Sequence, residues 1–115
     1  MKKILIVLVI LLLTGCSNTI SSGSITCKEK DTLMKEDNTI LIDVRTKEEY
    51  ESGHLENAIN IPVDIVLSKI GEYASKDTKI IIYCQSGKRA TTAFETLKNN
   101  GYKNIYNLGS INSCK

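Results

Sequence analysis

Proline occurs once and histidine once, and none of the four cysteines forms a Cys-x-x-Cys pair. One proline and seven glycines in 115 residues are too few for a low-complexity or disordered chain. The single histidine, His54, has no companion ligands of the kind a metal centre needs, so no metal is expected. The missing Cys-x-x-Cys argues against a thiol oxidoreductase that would pair Cys84 with Cys27 or Cys114. An excess of one charge is also lacking. Fifteen basic residues less Lys2 and Lys3 leave 13, against 13 acidic ones, so the balance gives no support for nucleic-acid binding. There is no internal repeat, and the length has room for one compact domain.

A long hydrophobic run is absent too. Ile4 to Leu13 is apolar throughout, but a membrane-spanning helix needs about 20 such residues, roughly twice that length. Behind Met1-Lys2-Lys3 and before Leu13-Thr14-Gly15-Cys16, the run has the layout of a secretory signal. Leu13-Thr14-Gly15-Cys16 resembles a bacterial lipobox, in which the cysteine is lipidated and begins the mature chain. Residues 1–15 are therefore expected to be a lipoprotein signal peptide. Residues 16–24, with four serines, an asparagine and Gly23, are expected to carry the lipid on Cys16 and to form a flexible tether. Acyl chains gain about 0.8 kcal/mol per buried methylene, enough to hold a domain at a membrane. The expected location is outside the cytoplasm, lipid-anchored to a bacterial membrane.

Residues 25–115 alternate strand and helix. Thr26 with Glu29, and Thr46 with Glu49, have capping-box spacing and open helices, the first running to about Lys35 with Leu33 and Met34 inward. Ile40 to Val44 and Lys79 to Tyr83 are β-branched runs typical of strands buried on both faces. Ala58 to Pro62 reads as a short extended piece, and Asp64 to Tyr73 as a helix. Arg89 to Asn99 reads as a helix with Ala90, Ala93, Phe94 and Leu97 inward, and Asn104 to Leu108 as a last strand. This order predicts an α/β fold: a small, mostly parallel sheet with helices on both faces.

Between the strongest strand and a helix lies Cys84-Gln85-Ser86-Gly87-Lys88-Arg89. Ligands of open α/β sheets bind beyond the carboxyl ends of the strands. Backbone N–H groups there, with the helix N-terminus, form a concave anion site. Gly87 allows the loop to curl, and Lys88 and Arg89 add positive charge. Such a field favours thiolate over thiol, and the thiolate is the nucleophile. The competing reading is a buried structural cysteine, but a core position would not require the glycine and two cations that follow.

Several separated stretches resemble the rhodanese family: Leu41 to Arg45, Glu49 to Pro62, Ile82 to Ala90, and Gly101-Tyr102 to Leu108-Gly109-Ser110. The likeness is to single-domain secreted bacterial members. It implies a rhodanese-like α/β fold, with a small, mostly parallel sheet of about five strands and helices on both faces, and a thiosulfate sulfurtransferase-like enzyme without a cofactor. In that chemistry Cys84 takes sulfur from thiosulfate or a similar anionic donor and passes it, as a persulfide, to a thiol or cyanide. Gln85, Ser86, Gly87, Lys88 and Arg89 are the implied substrate-binding residues. The six-residue loop resembles that of the sulfur-transferring members, whereas related phosphatases and arsenate reductases have one residue more. The Gly53-His54 pair looks structural in this family. A monomer is expected, with the membrane as a further partner through the lipid.

The first and last strands of rhodaneses are neighbours, which makes Cys27–Cys114 one conceivable bridge. Two unpaired thiols is the equal alternative, and either cysteine could instead resolve a Cys84 persulfide. Asp43 and Arg45 are read as structural, with Arg45 expected to pair with Glu49. Two positions depart from the family's pattern: its usual Gly-Gly is Gly109-Ser110, and Cys114 stands where tryptophan is common. The alternative function is a sulfane-sulfur carrier or partner-docking module that does not turn over.

Overall fold

A computed structural model describes residues 19–115; the expected signal peptide, residues 1–15, and Cys16 lie outside the described residues. Five parallel strands form one sheet in the order β1-β5-β4-β2-β3. They are β1 (Gly23–Ser24), β2 (Thr39–Asp43), β3 (Ala58–Asn60), β4 (Lys79–Cys84) and β5 (Asn104–Ser110). The α-helices are α1 (Cys27–Met34), α2 (Lys47–Glu51), α3 (Val66–Lys69) and α4 (Lys88–Asn99). Both capping boxes form: the Thr26 and Thr46 hydroxyls accept the N–H of Glu29 and Glu49, whose carboxylates reach back to the threonine N–H groups.

Strand alternation divides the core into two layers. On one face Ile80, Ile82 and Cys84 of β4 join Ile42 of β2 and pack under Ala90, Ala93 and Leu97 of α4, with Val66 and Ile70 beside them. On the other face Ile81 and Tyr83 join Leu41, Tyr106 and Leu108 beneath Leu33 of α1. Both layers are apolar, which is why the two central strands read as unbroken hydrophobic runs. Phe94 and Met34, expected inward, are partly buried at the edges of these layers.

Three local expectations change. First, the segment read as tether is not free to its end. Gly23 and Ser24 pair with Tyr106 and Asn107 of β5, and Ile20 packs against the core. The edge of β5 offers unpaired backbone groups, and Ile20 and Ile25 flank the Ser/Gly stretch with apolar anchors. Second, residues 63–72 are not one helix. A 3-10 turn (Val63–Ile65), α3, and a second 3-10 turn (Ile70–Glu72) follow Pro62, and none has a side-chain cap. Third, β5 runs to Ser110, past the expected Leu108. Its register against β4 shifts by one residue, so Ile82 faces Asn107 while Tyr83 faces Gly109 and Cys84 faces Ser110.

After β5 a 3-10 helix (Ile111–Cys114) closes the chain. Cys114 is joined to Cys27, the first residue of α1, in a disulfide with Cα atoms 5.3 Å apart. Because α1 directly follows β1, and β1 lies beside β5, the two ends of the domain meet at this point.

Candidate active site around Cys84

Cys84 is the last residue of β4, and its alternation with Ile80 and Ile82 turns the side chain towards α4. Helix α4 begins at Lys88 with N–H groups that have no partner within the helix. Gly87, at the cap position, has no side chain to accept them. The Cys84 sulfur does so instead: Sγ accepts the Gly87 N–H at 3.0 Å and the Ala90 N–H at 3.2 Å. Gly87 has φ 105°, a conformation that L side chains rarely adopt, and this places its N–H on the sulfur. Two amides and a helix N-terminus thus converge on Sγ, an arrangement suited to holding an anionic sulfur. The residue is fully buried, with exposed Gln85 and Ser86 next to it.

The loop residues divide by role. Ser86 and Lys88 are exposed, and Lys88 makes no ion pair among the described residues. Gln85 is held through its side-chain oxygen, which accepts from Arg45 Nη1 at 3.1 Å. Arg89 forms a two-pronged pair with Glu49, at 2.7 and 3.0 Å. That partner corrects the expectation that Glu49 serves Arg45. The Arg89 hydrogen bond, followed by the Thr46 backbone N–H, lowers the Glu49 pKa from 4.5 to about 2. The same contact raises the Arg89 pKa. Arg89 therefore clasps α2 to α4 rather than standing free beside the sulfur.

Arg45 turns back along its own strand. Its Nε and Nη2 donate to the Asp43 carboxylate, and Nη2 also donates to the Gly53 carbonyl at 2.7 Å. The hydrogen bonds that it donates to Asp43 raise the Arg45 pKa. Tyr83 Oη donates to Asp43 Oδ2 at 2.7 Å and accepts the Leu55 N–H at 3.0 Å. Burial pushes the Tyr83 hydroxyl well above its usual range, so it stays protonated. Asp43 and Arg45 are thus a buried brace between β2, β4, the Gly53 turn and the loop. His54 stacks on Tyr50, ring centroids 3.7 Å apart, and its Nδ1 lies 2.8 Å from the Tyr50 carbonyl.

Sequence reasoning missed Ala90 and Ser110. Ala90 carries no chemistry in its side chain, although the placement of a helix start just after the loop was a signal for its N–H. Ser110 Oγ donates to the Gln85 carbonyl at 2.6 Å, a contact across 25 residues that no local pattern announces. Cys27 and Cys114 belong to the far disulfide and not to this loop.

The model of the rhodanese-like domain family matches residues 26–114. Among curated proteins, a tRNA uridine(34) hydroxylase of Buchnera aphidicola is 32% identical over 91 residues, covering 73% of this chain and 28% of that protein. An Escherichia coli protein of the same name is 33% identical over 85 residues, covering 70% and 24%. The chain thus spans about a quarter of the length of these relatives. Among solved structures, an E. coli rhodanese with anions is 33% identical, with a TM-score of 0.62 over 65% of this chain and 89% of that one. A human single-domain sulfurtransferase, 24% identical, shares the fold with a TM-score of 0.63 over 77% and 88%. The parallel sheet, the cysteine at its carboxyl edge and the family match from residue 26 to 114 agree: this chain belongs to the rhodanese-like domain family.

Proposed function

We propose that the domain transfers sulfane sulfur through a persulfide on Cys84. The observation that carries this reading is the pair of amides, from Gly87 and Ala90, that converge on Sγ. In the first step the Cys84 thiolate attacks the outer sulfur of thiosulfate. The new S–S bond forms as the donor's S–S bond breaks, and sulfite leaves with the bonding pair. Cys84 then carries a terminal sulfur with one negative charge. In the second step a thiolate or cyanide attacks that terminal sulfur, and the Cys84 thiolate is the leaving group. Charge balances in both steps without a metal or organic cofactor. The loop amides from Gln85 to Arg89 suit the charged sulfur and the donor's oxygens, and Lys88 supplies attraction for an anion.

The complete burial of Cys84 favours a second reading, in which the domain carries sulfur or docks a partner with little turnover. Steady-state assay separates the two. Wild type given excess thiosulfate and cyanide should produce many thiocyanates per protein, and Cys84→Ser none. A single sulfur loaded per protein with no cycling would support the carrier, and equal turnover by Cys84→Ser would defeat both. The tRNA hydroxylase activity named for the longer relatives is not carried over, since only about a quarter of their length is matched.

The Cys27–Cys114 disulfide, away from the site, suits a protein working outside the cytoplasm, where such a bond persists. Export with lipid on Cys16 belongs to this proposal and rests on the residues from Met1 to Cys16. Labelled fatty acid should enter the wild-type protein but not Cys16→Ala.

A further inference from the structure

We propose that Ser110 is a positioning residue for the sulfur-binding loop, and that it acts by holding the Gln85 carbonyl turned away from Cys84. The inference rests on the sulfur-transfer reading above for its kinetic consequence, but its structural part stands alone.

A peptide unit next to a negative sulfur can present either its N–H or its C=O. The first stabilises the charge and the second repels it. A short loop that presents N–H groups inward must find donors for the carbonyls it turns outward. Here the Gly87 carbonyl receives both the N–H and the hydroxyl of Thr91, each at 3.0 Å. The Gln85 carbonyl receives the Ser110 hydroxyl at 2.6 Å. A serine hydroxyl has one proton, and its direction here is set. Ser110 Oγ already accepts the Asn112 N–H at 3.0 Å, so its proton is left for Gln85.

The one-residue register shift in β5 brings this hydroxyl to the loop. Unshifted, Cys84 would face Gly109, which has no side chain; shifted, it faces Ser110. Gly109 takes φ 85° at the shift, a conformation suited to glycine. Asn107, on the other side of the shift, donates to Thr91 Oγ1 at 3.2 Å and so supports the Gly87 carbonyl indirectly. Among the described residues strand β5 thus contributes no group to the sulfur, yet it braces the Gln85 and Gly87 carbonyls on either side of the peptide unit whose N–H, that of Gly87, reaches Sγ.

The test compares wild type, Ser110→Ala and Ser110→Thr by amide hydrogen exchange in isotope-labelled protein and by single-turnover sulfite release from thiosulfate. Losing one hydrogen bond of this kind corresponds to about a tenfold effect. Exchange at the Gly87 N–H should quicken by about tenfold in Ser110→Ala, while strand amides of β2 stay as in wild type. Sulfite release should slow by about the same factor at saturating thiosulfate, with KM changed less than twofold. Ser110→Thr, which keeps the hydroxyl, should behave as wild type in both. Unchanged Gly87 exchange in Ser110→Ala would overturn the proposal, as would equal loss in the alanine and threonine variants. If wild type releases no sulfite but the exchange pattern appears, Ser110 positions the loop and the sulfur-transfer reading is what fails.

Discussion

Gly87 and Arg45 support Cys84 by different means. Gly87 sits at φ 105° with its N–H on the sulfur, and a Cβ there would have room, 3.8 Å from Gly109. The constraint is therefore conformational. Gly87→Ala should destabilise the fold by about 1–3 kcal/mol in urea titration. It should slow sulfur loading at least about tenfold, because relaxation of the strain removes an amide from Sγ. Arg45 never touches the sulfur. Its pairing with Asp43 is buried on both sides, and removing one partner of such a pair strands the other charge. Arg45→Ala should cost about 3–5 kcal/mol by the same titration. At this scale the sequence made Cys84 and Gly87 legible, since a strand, a glycine and a helix start lie within a few residues. The partners of Arg89 and Gln85 were hidden because they stand 40 and 25 residues away. Chain spacing suggested Glu49 for Arg45, but the fold gave it to Arg89.

Among elements, the Glu49–Arg89 clasp ties α2 to the first turn of α4, beside the loop. Its contribution depends on pH with a definite sign. The folded Glu49 pKa, about 2, lies below the ordinary 4.5, so the unfolded chain binds the proton more readily. Stability from the clasp is fully present above about pH 4.5 and is lost as pH falls towards 2. Both groups are about one-third exposed, which keeps the contribution small. Glu49→Gln should flatten that part of the curve when thermal unfolding is followed between those pH values, and leave stability at pH 7 only slightly lower. The central strands and capped helices were readable because β2 and β4 are buried on both faces and because Thr26 and Thr46 cap locally. β1 was not: two residues, Gly23 and Ser24, carry no apolar pattern, and what makes them a strand is the open edge of β5. Residues 63–72 mislead for a related reason. Their apolar residues have helical spacing, but uncapped turns after Pro62 break the run.

For the whole molecule, the Cys27–Cys114 bridge spans 87 residues and joins the two ends of the domain. Linking so long a segment restricts the unfolded chain more than the folded one. The Cys27→Ser/Cys114→Ser double variant should lose about 2–5 kcal/mol in denaturant titration. It should still load sulfur on Cys84 below its unfolding transition, because neither cysteine touches the loop. The fold class was legible in the alternation of strands and helices. Sequence left the bridge undecided, since it depends on β1 and β5 bringing the two ends together.

All of this centres on negative sulfur held by backbone N–H groups at one cysteine. Intact and peptide mass spectrometry after thiosulfate treatment examines it most directly. The expected result is one added sulfur atom, located on the peptide containing Cys84, absent in Cys84→Ser and removed by cyanide. An unmodified Cys84, or sulfur gained equally by Cys84→Ser, would contradict it.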